Sequence, residues 1–305
     1  MRLFETADFT FIPHRKIGYV ISGILITISL FAIIFRGLNY GIDFKGGTDI
    51  ALEFENPVAV EDVREILTGP LQGVPEVKLF GSDSELLIRT DVDMSSSEIQ
   101  SAILGALGEQ MPGDPGTIIM TNNVGPAFAE DMRNAAFLAI LFSLIVLFLY
   151  ILIRFKKWSY SAGAVAALAH DVIITLGVFT ILYDVVPFDL SINQALIAAF
   201  LTIVGYSLND TVVVYDRIRE NSNIFKTETF DNMVNKSINN TLSRTVVTSL
   251  TTLFVVTILF IFGGEVLRGF SFALMLGVIL GTYSSIFIAS GLLVDLQLKT
   301  KKSVV

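Results

Sequence analysis

"GYSLNDTVVVYDRIRE" (205–220) closes a long apolar run, and the reading of that run decides the fold. Asp210 falls inside the run, next to Asn209, at a depth where the neighbours read as lipid or packed helix. A charge is costly in hydrocarbon. Ionisable residues in a span therefore face a bundle interior or a partner, and they mark function more often than decoration.

The rest of the chain fits a membrane setting. Of its 305 residues 52% are hydrophobic and 16% charged, and the mean hydropathy is +0.67. A soluble domain carries about 25% charged residues. Cysteine is absent, which excludes disulfides and thiolate metal sites, and two histidines, His14 and His170, are too few for a histidine cluster. The net charge of −8 is uneven: residues 37–134 hold 17 Asp/Glu and 5 Lys/Arg, a net of −12, and the remainder nets +4. An acidic segment embedded in a mildly basic membrane protein argues against nucleic acid, whose phosphates need Lys and Arg.

Six apolar runs reach the roughly 20 residues that a bilayer crossing requires: about 17–35, 135–153, 160–183, 192–215, 245–262 and 270–294. The first follows "HRK" (14–16) and lacks a small-residue cleavage site, so it reads as an anchor rather than a removed signal. Lys and Arg crowd the start, the second-to-third loop, the fourth-to-fifth loop and the tail, 14 in all, against none in 184–191. The positive-inside rule then places both termini in the cytoplasm and 37–134 outside. The expected organisation is a cytoplasmic segment 1–16, a first span 17–36, an external domain 37–134, spans two to six over 135–294 and a cytoplasmic tail 295–305. Asp216, Arg217, Arg219 and Glu220 read as a helix end anchored at the headgroups. After them Phe230, Met233, Val234 and Ile238 form one apolar stripe, which predicts an interfacial cytoplasmic helix over about 217–243.

The external segment reads strand, helix, strand, strand, helix, strand: 49–55, 60–67, 76–81, 85–90, 95–111 and 116–123. That order predicts a small α+β, ferredoxin-like module. Its acids read as solvated surface.

Inside the spans, polar and small residues recur at every fourth position and so share helix faces. The third span offers Gly163, Ala167, Asp171 and Thr175; the fourth Thr202, Tyr206 and Asp210, with Ser207 beside them; the fifth Arg244, Thr248, Thr251 and Thr252. The sixth carries Gly277, Gly281, Ser285 and Ala289, a small-residue series that permits close helix contact. These faces are expected to converge inside a bundle. Asp210 and Arg244 lie at similar depth and are expected to meet. Burial disfavours the charged carboxylate and a nearby arginine favours it, so a changing distance between them would change proton affinity. A static ion pair is the plainer alternative. His170 and Asp171 are adjacent on the helix and are expected to point apart, leaving His170 as a packing residue. There is no Gly-rich phosphate loop ending in Lys-Ser/Thr. No nucleophile, base or metal arrangement supports an enzyme. Work done by this chain would draw on an ion gradient, with no other cofactor, and faces of Asp and Thr suit H⁺ or Na⁺.

"GIDFKGGT" (41–48), "ALAHDVIITLG" (167–177), "GYSLNDTVVVYDRIREN" (205–221), "SRTVVTSLTTL" (243–253) and "FGGEVLRGFSFALMLGVILGTYSSIFIAS" (262–290) together resemble the SecF family of protein-export membrane proteins, over essentially the whole chain. Lys45 stands where that family often has Thr. The resemblance implies half of a twelve-span bundle of the resistance-nodulation-division (RND) type, with SecD as the other half. It implies a bacterial inner-membrane location and proton-motive-force-driven help to late preprotein export at SecYEG, with YajC and YidC as further partners and unfolded preprotein and lipid as contacts. It also implies that Asp210 and Arg244 couple protons. The helix faces themselves, not the resemblance, mark Asp171, Asn209, Thr202, Tyr206, Ser207 and Thr248 as the expected supporting groups and Gly277, Gly281 and Ser285 as the packing residues. The other readings are a half-size lipid or small-molecule exporter of the same superfamily, or a non-catalytic scaffold for SecD.

Overall fold

The computed structural model describes residues 8–302, with side chains to Leu298. The expected cytoplasmic segments 1–16 and 295–305 are therefore seen in part, and Arg2, Lys299, Lys301 and Lys302 lie outside the described side chains. Helix α1 (Arg15–Arg36) leads through a short turn of helix, α2 (Ile42–Lys45), into a module of β1 (Gly47–Glu53), α3 (Val60–Thr68), β2 (Glu76–Phe80), β3 (Ser82–Thr90), α4 (Ser96–Gln110) and β4 (Thr117–Val124). Then come α5 (Pro126–Phe155), α6 (Trp158–Leu182), α7 (Gln194–Ile224), α8 (Phe230–Phe262) and α9 (Glu265–Ser284). A π-helical turn, Ser285–Ala289, joins α9 to α10 (Ser290–Lys302). Among the described residues six helical segments are long and apolar enough to cross a membrane: α1, α5, α6, α7, α8 and the continuous stretch from α9 into α10.

Local chemistry sets the element ends. Ser95 and Glu98 form a reciprocal capping box at the start of α4. Asn193 caps α7 by accepting from the Leu196 amide, and Asp43 Oδ2 accepts from the Gln194 amide at 2.8 Å. The link between α2 and β1 needs two glycines: Gly46 and Gly47 have φ of 82° and 126°, and a Cβ on Gly47 would lie 2.5 Å from the Thr90 carbonyl oxygen. Proline at the first position of α5 costs no hydrogen bond. The helix therefore starts at 126, nine residues before the apolar run at 135, and the module ends before 126 rather than at 134.

The four strands are ordered β2-β3-β1-β4, with all neighbours antiparallel. Strand alternation sorts the side chains by face. Ile50, Leu52, Leu86 and Ile88 point to α3 and α4 and are fully buried with Val63, Leu67, Ile99, Ile103 and Leu107. The opposite face carries Asp49, Glu76, Lys78, Phe80, Leu87 and Arg89, and it rests on the end of the helix bundle.

An interfacial helix over 217–243 is not what forms. Helix α7 continues to Ile224, and α8 begins at Phe230 and runs unbroken to Phe262. The stripe Met233, Val234 and Ile238 is at most 4% exposed because it packs into the main helix core beside Tyr215 and Leu293, not onto a lipid surface. At that same end the Phe9 amide and carbonyl bond to Asn239, and Arg15 pairs with Asp295. The N-terminal residues and α10 thus share the end of the bundle away from the sheet.

Candidate functional site

Asp210 lies on α7, 3% exposed. Its Oδ2 atom has no hydrogen-bond partner. The groups acting on the carboxylate are Ser249 on α8 and, through charge, Arg244. The expected close pair does not form: among the described residues Asp210 has no ion-pair partner within 4.0 Å, and Arg244 is exposed on the outer side of α8. Ser249 connects onward to Thr282 Oγ1 of α9 at 2.6 Å and receives the Tyr206 hydroxyl at 3.3 Å.

Beyond the contacts of Ser249 with Asp210 and Tyr206, the polar faces of α7 and α8 stay apart among the described residues. Thr202, Gly205 and Asn209 form an exposed stripe on α7, and Arg244, Val247 and Thr251 one on α8, with Thr248 half-buried. Thr202, Thr248 and Thr251 return their hydroxyls to carbonyls of their own helix, at 2.8, 2.8 and 2.9 Å. That makes them tolerable at a helix surface but gives them no partner across it. Six helices leave this side of the bundle uncovered.

Asp171 sits on the other side of α7. It is fully buried; its Oδ2 accepts from Ser207 of α7 and Ser284 of α9, each at 2.8 Å. His170 does not point away. Its Nδ1 lies 2.9 Å from Asp171 Oδ1, and its Nε2 lies 3.0 Å from Ser22 Oγ of α1. Neighbouring helix positions diverge at Cβ, but both side chains bend into the same gap among α1, α6, α7 and α9. Gly277 and Gly281 line the crossing of α9 with α7: a Cβ on Gly277 would strike Ile203, and one on Gly281 would lie 2.9 Å from Ser207 Cβ. Ser285 is buried and bonds the Thr282 carbonyl at 3.0 Å. In the π-turn the Ala289 carbonyl accepts the Tyr215 hydroxyl at 3.1 Å.

A third charged cluster escaped the sequence reading, which took the module's acids for solvated surface. Asp49 and Arg89 are register partners on β1 and β3 and bond bidentately, both contacts at 2.8 Å. Arg89 also reaches Asp189, in the α6–α7 connection, at 3.3 Å. Tyr183 at the end of α6 donates to Glu76 at 2.5 Å, and Lys78 pairs with Glu76 at 3.1 Å while lying over the Tyr183 ring. A cavity of about 110 Å³ lies beneath, lined by Asp49, Leu87, Met120, Asp189 and Glu265 among others. Burial is the largest influence on each group. It prevails at Asp49, whose carboxyl is pushed up, and at Lys78, whose ammonium is pushed down. At Asp189 burial is outweighed by the Arg89 charge, and at Glu76 by the Tyr183 hydroxyl and Lys78, so both carboxyls are held below their usual range. The available signal was strand alternation, which puts Asp49 with Ala51 and Arg89 with Leu87 on one face.

Six described helical segments able to cross a bilayer, a sheet module clasped to one end and an open polar face at mid-bundle give the build of a multi-pass membrane protein. Residues 109–299 match the family described as protein export membrane protein SecD/SecF, C-terminal, and residues 31–58 match the SecD/SecF GG motif. The chain belongs to the SecD/SecF protein-export family. It is 54% identical over 297 residues to the protein translocase subunit SecF of Rhodothermus marinus, covering 97% of this chain and 96% of that one. It is 43% identical over 296 residues to the SecF subunit of Desulfurispirillum indicum, covering 94% and 92%. Among solved structures it resembles the translocon-associated membrane protein SecDF of Thermus thermophilus, at 36% identity and a TM-score of 0.86, and SecDF in its super-membrane-facing form, at 35% and 0.71. In both cases 97% of this chain spans 40% of the longer one.

Proposed function

We propose that this chain is the smaller membrane subunit of a bacterial protein-export complex. With a SecD partner supplying the remaining helices, it uses the proton motive force to assist late preprotein export beside SecYEG. The relatives named SecF and the fit to 40% of a SecDF chain support the pairing. The observation that carries the reading is the side of α7 and α8 left open: Thr202, Gly205, Asn209, Arg244 and Thr251 are exposed beside Asp210, whose Oδ2 is unpartnered. A polar stripe on a spanning helix needs a second bundle against it, because lipid offers no hydrogen bonds. A carboxylate left without a fixed ion pair there is free to take up and release a proton as Arg244 moves. The sheet module, read as ferredoxin-like, lies on the periplasmic side with the termini in the cytoplasm. YajC, YidC, unfolded preprotein and lipid are the further contacts, and the role is coupling rather than enzymatic catalysis. The experiment replaces Asp210 with Asn, or Arg244 with Met, in the reconstituted complex, under an H⁺ or an Na⁺ gradient. Loss of gradient-stimulated late export is expected. If export still accelerates with the gradient, the coupling role is wrong.

A further inference from the structure

The network around Asp171 can be read by counting protons. It runs from the Gly18 carbonyl to the Tyr283 hydroxyl (2.8 Å), to Ser22 Oγ (3.1 Å), to His170 Nε2 (3.0 Å), and from His170 Nδ1 to Asp171 Oδ1 (2.9 Å). The far oxygen of Asp171 already accepts from Ser207 and Ser284. A carbonyl cannot donate, so the single hydroxyl proton of Tyr283 goes to Gly18. The contact between Tyr283 and Ser22 must then use the Ser22 proton. Ser22 has no second proton to offer His170, so Nε2 must carry one. Only two arrangements place one proton in every contact. In one, His170 is doubly protonated against an ionised Asp171. In the other, Asp171 is protonated and donates to a bare Nδ1. The common neutral form, with the proton on Nδ1 alone beside an ionised aspartate, leaves Ser22 and Tyr283 as two oxygens 3.1 Å apart with no proton between them.

We infer that His170 and Asp171 form a second proton-binding site, loaded with one shared proton and electrically neutral as a pair. Burial points the same way. His170 is 2% exposed and Asp171 0%, and an uncompensated charge in such a place is costly. Among the described residues His170 is the one ion-pair partner of Asp171 within 4.0 Å. Tyr283 of α9 is the titratable group that the hydrogen-bond chain joins to the pair, while Asp210 of α7 is acted on by Arg244 and Ser249 of α8 and so belongs to a separate cluster. The contacts that force the proton onto Nε2 come from α1 and α9. Seating of α1 against α6 and proton occupancy are therefore linked, each favouring the other. The site stands independently of the role proposed for Asp210.

With two histidines in the chain, His14→Gln leaves His170 as the sole imidazole. The full chain carrying that change, labelled with ¹⁵N-histidine in lipid nanodiscs, reports the protonation of each ring nitrogen. The expected result is a protonated Nε2 at neutral pH. Adding Tyr283→Phe frees the Ser22 hydroxyl to donate to Nε2, and the expected result is an Nε2 signal shifted to the unprotonated class near neutral pH. A bare Nε2 at neutral pH in the protein that keeps Tyr283 would overturn the assignment. So would an unchanged spectrum after Tyr283→Phe. Neither readout depends on export, so failure here leaves the Asp210 reading untouched, and the reverse also holds.

Discussion

Where the sheet meets the bundle, carboxylates and cations are interlocked. Arg89 holds Asp49 and Asp189 together, and Glu76 is shared by Lys78 and Tyr183. At mid-bundle Asp210 has one oxygen without any partner, and the cation that acts on it through charge, Arg244, is exposed on α8. Both regions are buried, so desolvation acts on both, yet only the first is compensated within the chain. Compensation makes a clasp: a joint whose geometry is set and whose charges are not free to respond. The uncompensated carboxylate is poorly suited to holding structure together, and it is suited to answering a partner or a proton.

Asp210→Asn gives the sharpest break between the two regions. It is expected to bring gradient-stimulated export by the reconstituted complex down to the level seen without a gradient, while the thermal unfolding midpoint is unchanged or raised. A fall in that midpoint would mean that Asp210 is part of the scaffold after all.

Arg89→Met is expected to do the reverse. Removing one partner of a buried pair costs about 3–5 kcal/mol, because the remaining carboxylates keep their desolvation penalty. Hydrogen exchange in β1 and β3 should accelerate accordingly, and adding Asp49→Leu should recover much of the loss. Unchanged exchange in the single variant would show that the clasp contributes nothing.

Gly277→Val tests the crossing between the two regions. Its side chain would be forced against Ile203, and overpacking of this kind costs about 1–3 kcal/mol. The expected signature is a lowered unfolding midpoint.

The clasp should also respond to acid. Asp189 and Glu76 have folded-state values below the ordinary ones, so their contribution is fully present above the unfolded values of about 3.9 and 4.3 and is lost as pH falls through the lower folded values. Asp49, pushed up, works in the opposite direction and offsets part of this. Hydrogen exchange at the sheet–bundle joint should therefore rise below about pH 4; a joint that loosens instead between neutral pH and pH 5 would contradict the assignment. The smallest effect is expected from Arg154→Gln, which removes an exposed contact to Asp216 at 3.0 Å. Exposed pairs of this kind contribute little, and no shift in the unfolding midpoint should be seen.

The spans, the strand–helix order of the module and the burial of Asp210 were all legible in the sequence, for one reason: each is written in a local period or a run length. Apolar runs of sufficient length must cross or be buried. Alternation marks strands such as β1, and Ser95 with Glu98 marks the start of α4. Other features depend on contacts between segments far apart in the chain, and no local pattern encodes them. Adjacency on a helix said that His170 and Asp171 diverge, but the gap among α1, α6, α7 and α9 draws them together. Similar depth said that Asp210 and Arg244 meet, but rotation of α8 about its axis turns the arginine outward. Residues 217–243 looked interfacial by composition, but the apolar stripe of Met233, Val234 and Ile238 had a core to enter. Asp49 and Arg89 counted as surface charges until pairing of β1 with β3 put them on the face that closes over the bundle. Composition and periodicity thus determine which segments enter the membrane and which faces are polar. Tertiary packing decides which charges are paired, because pairing depends on distances of a few ångströms between helices and strands that are remote in sequence.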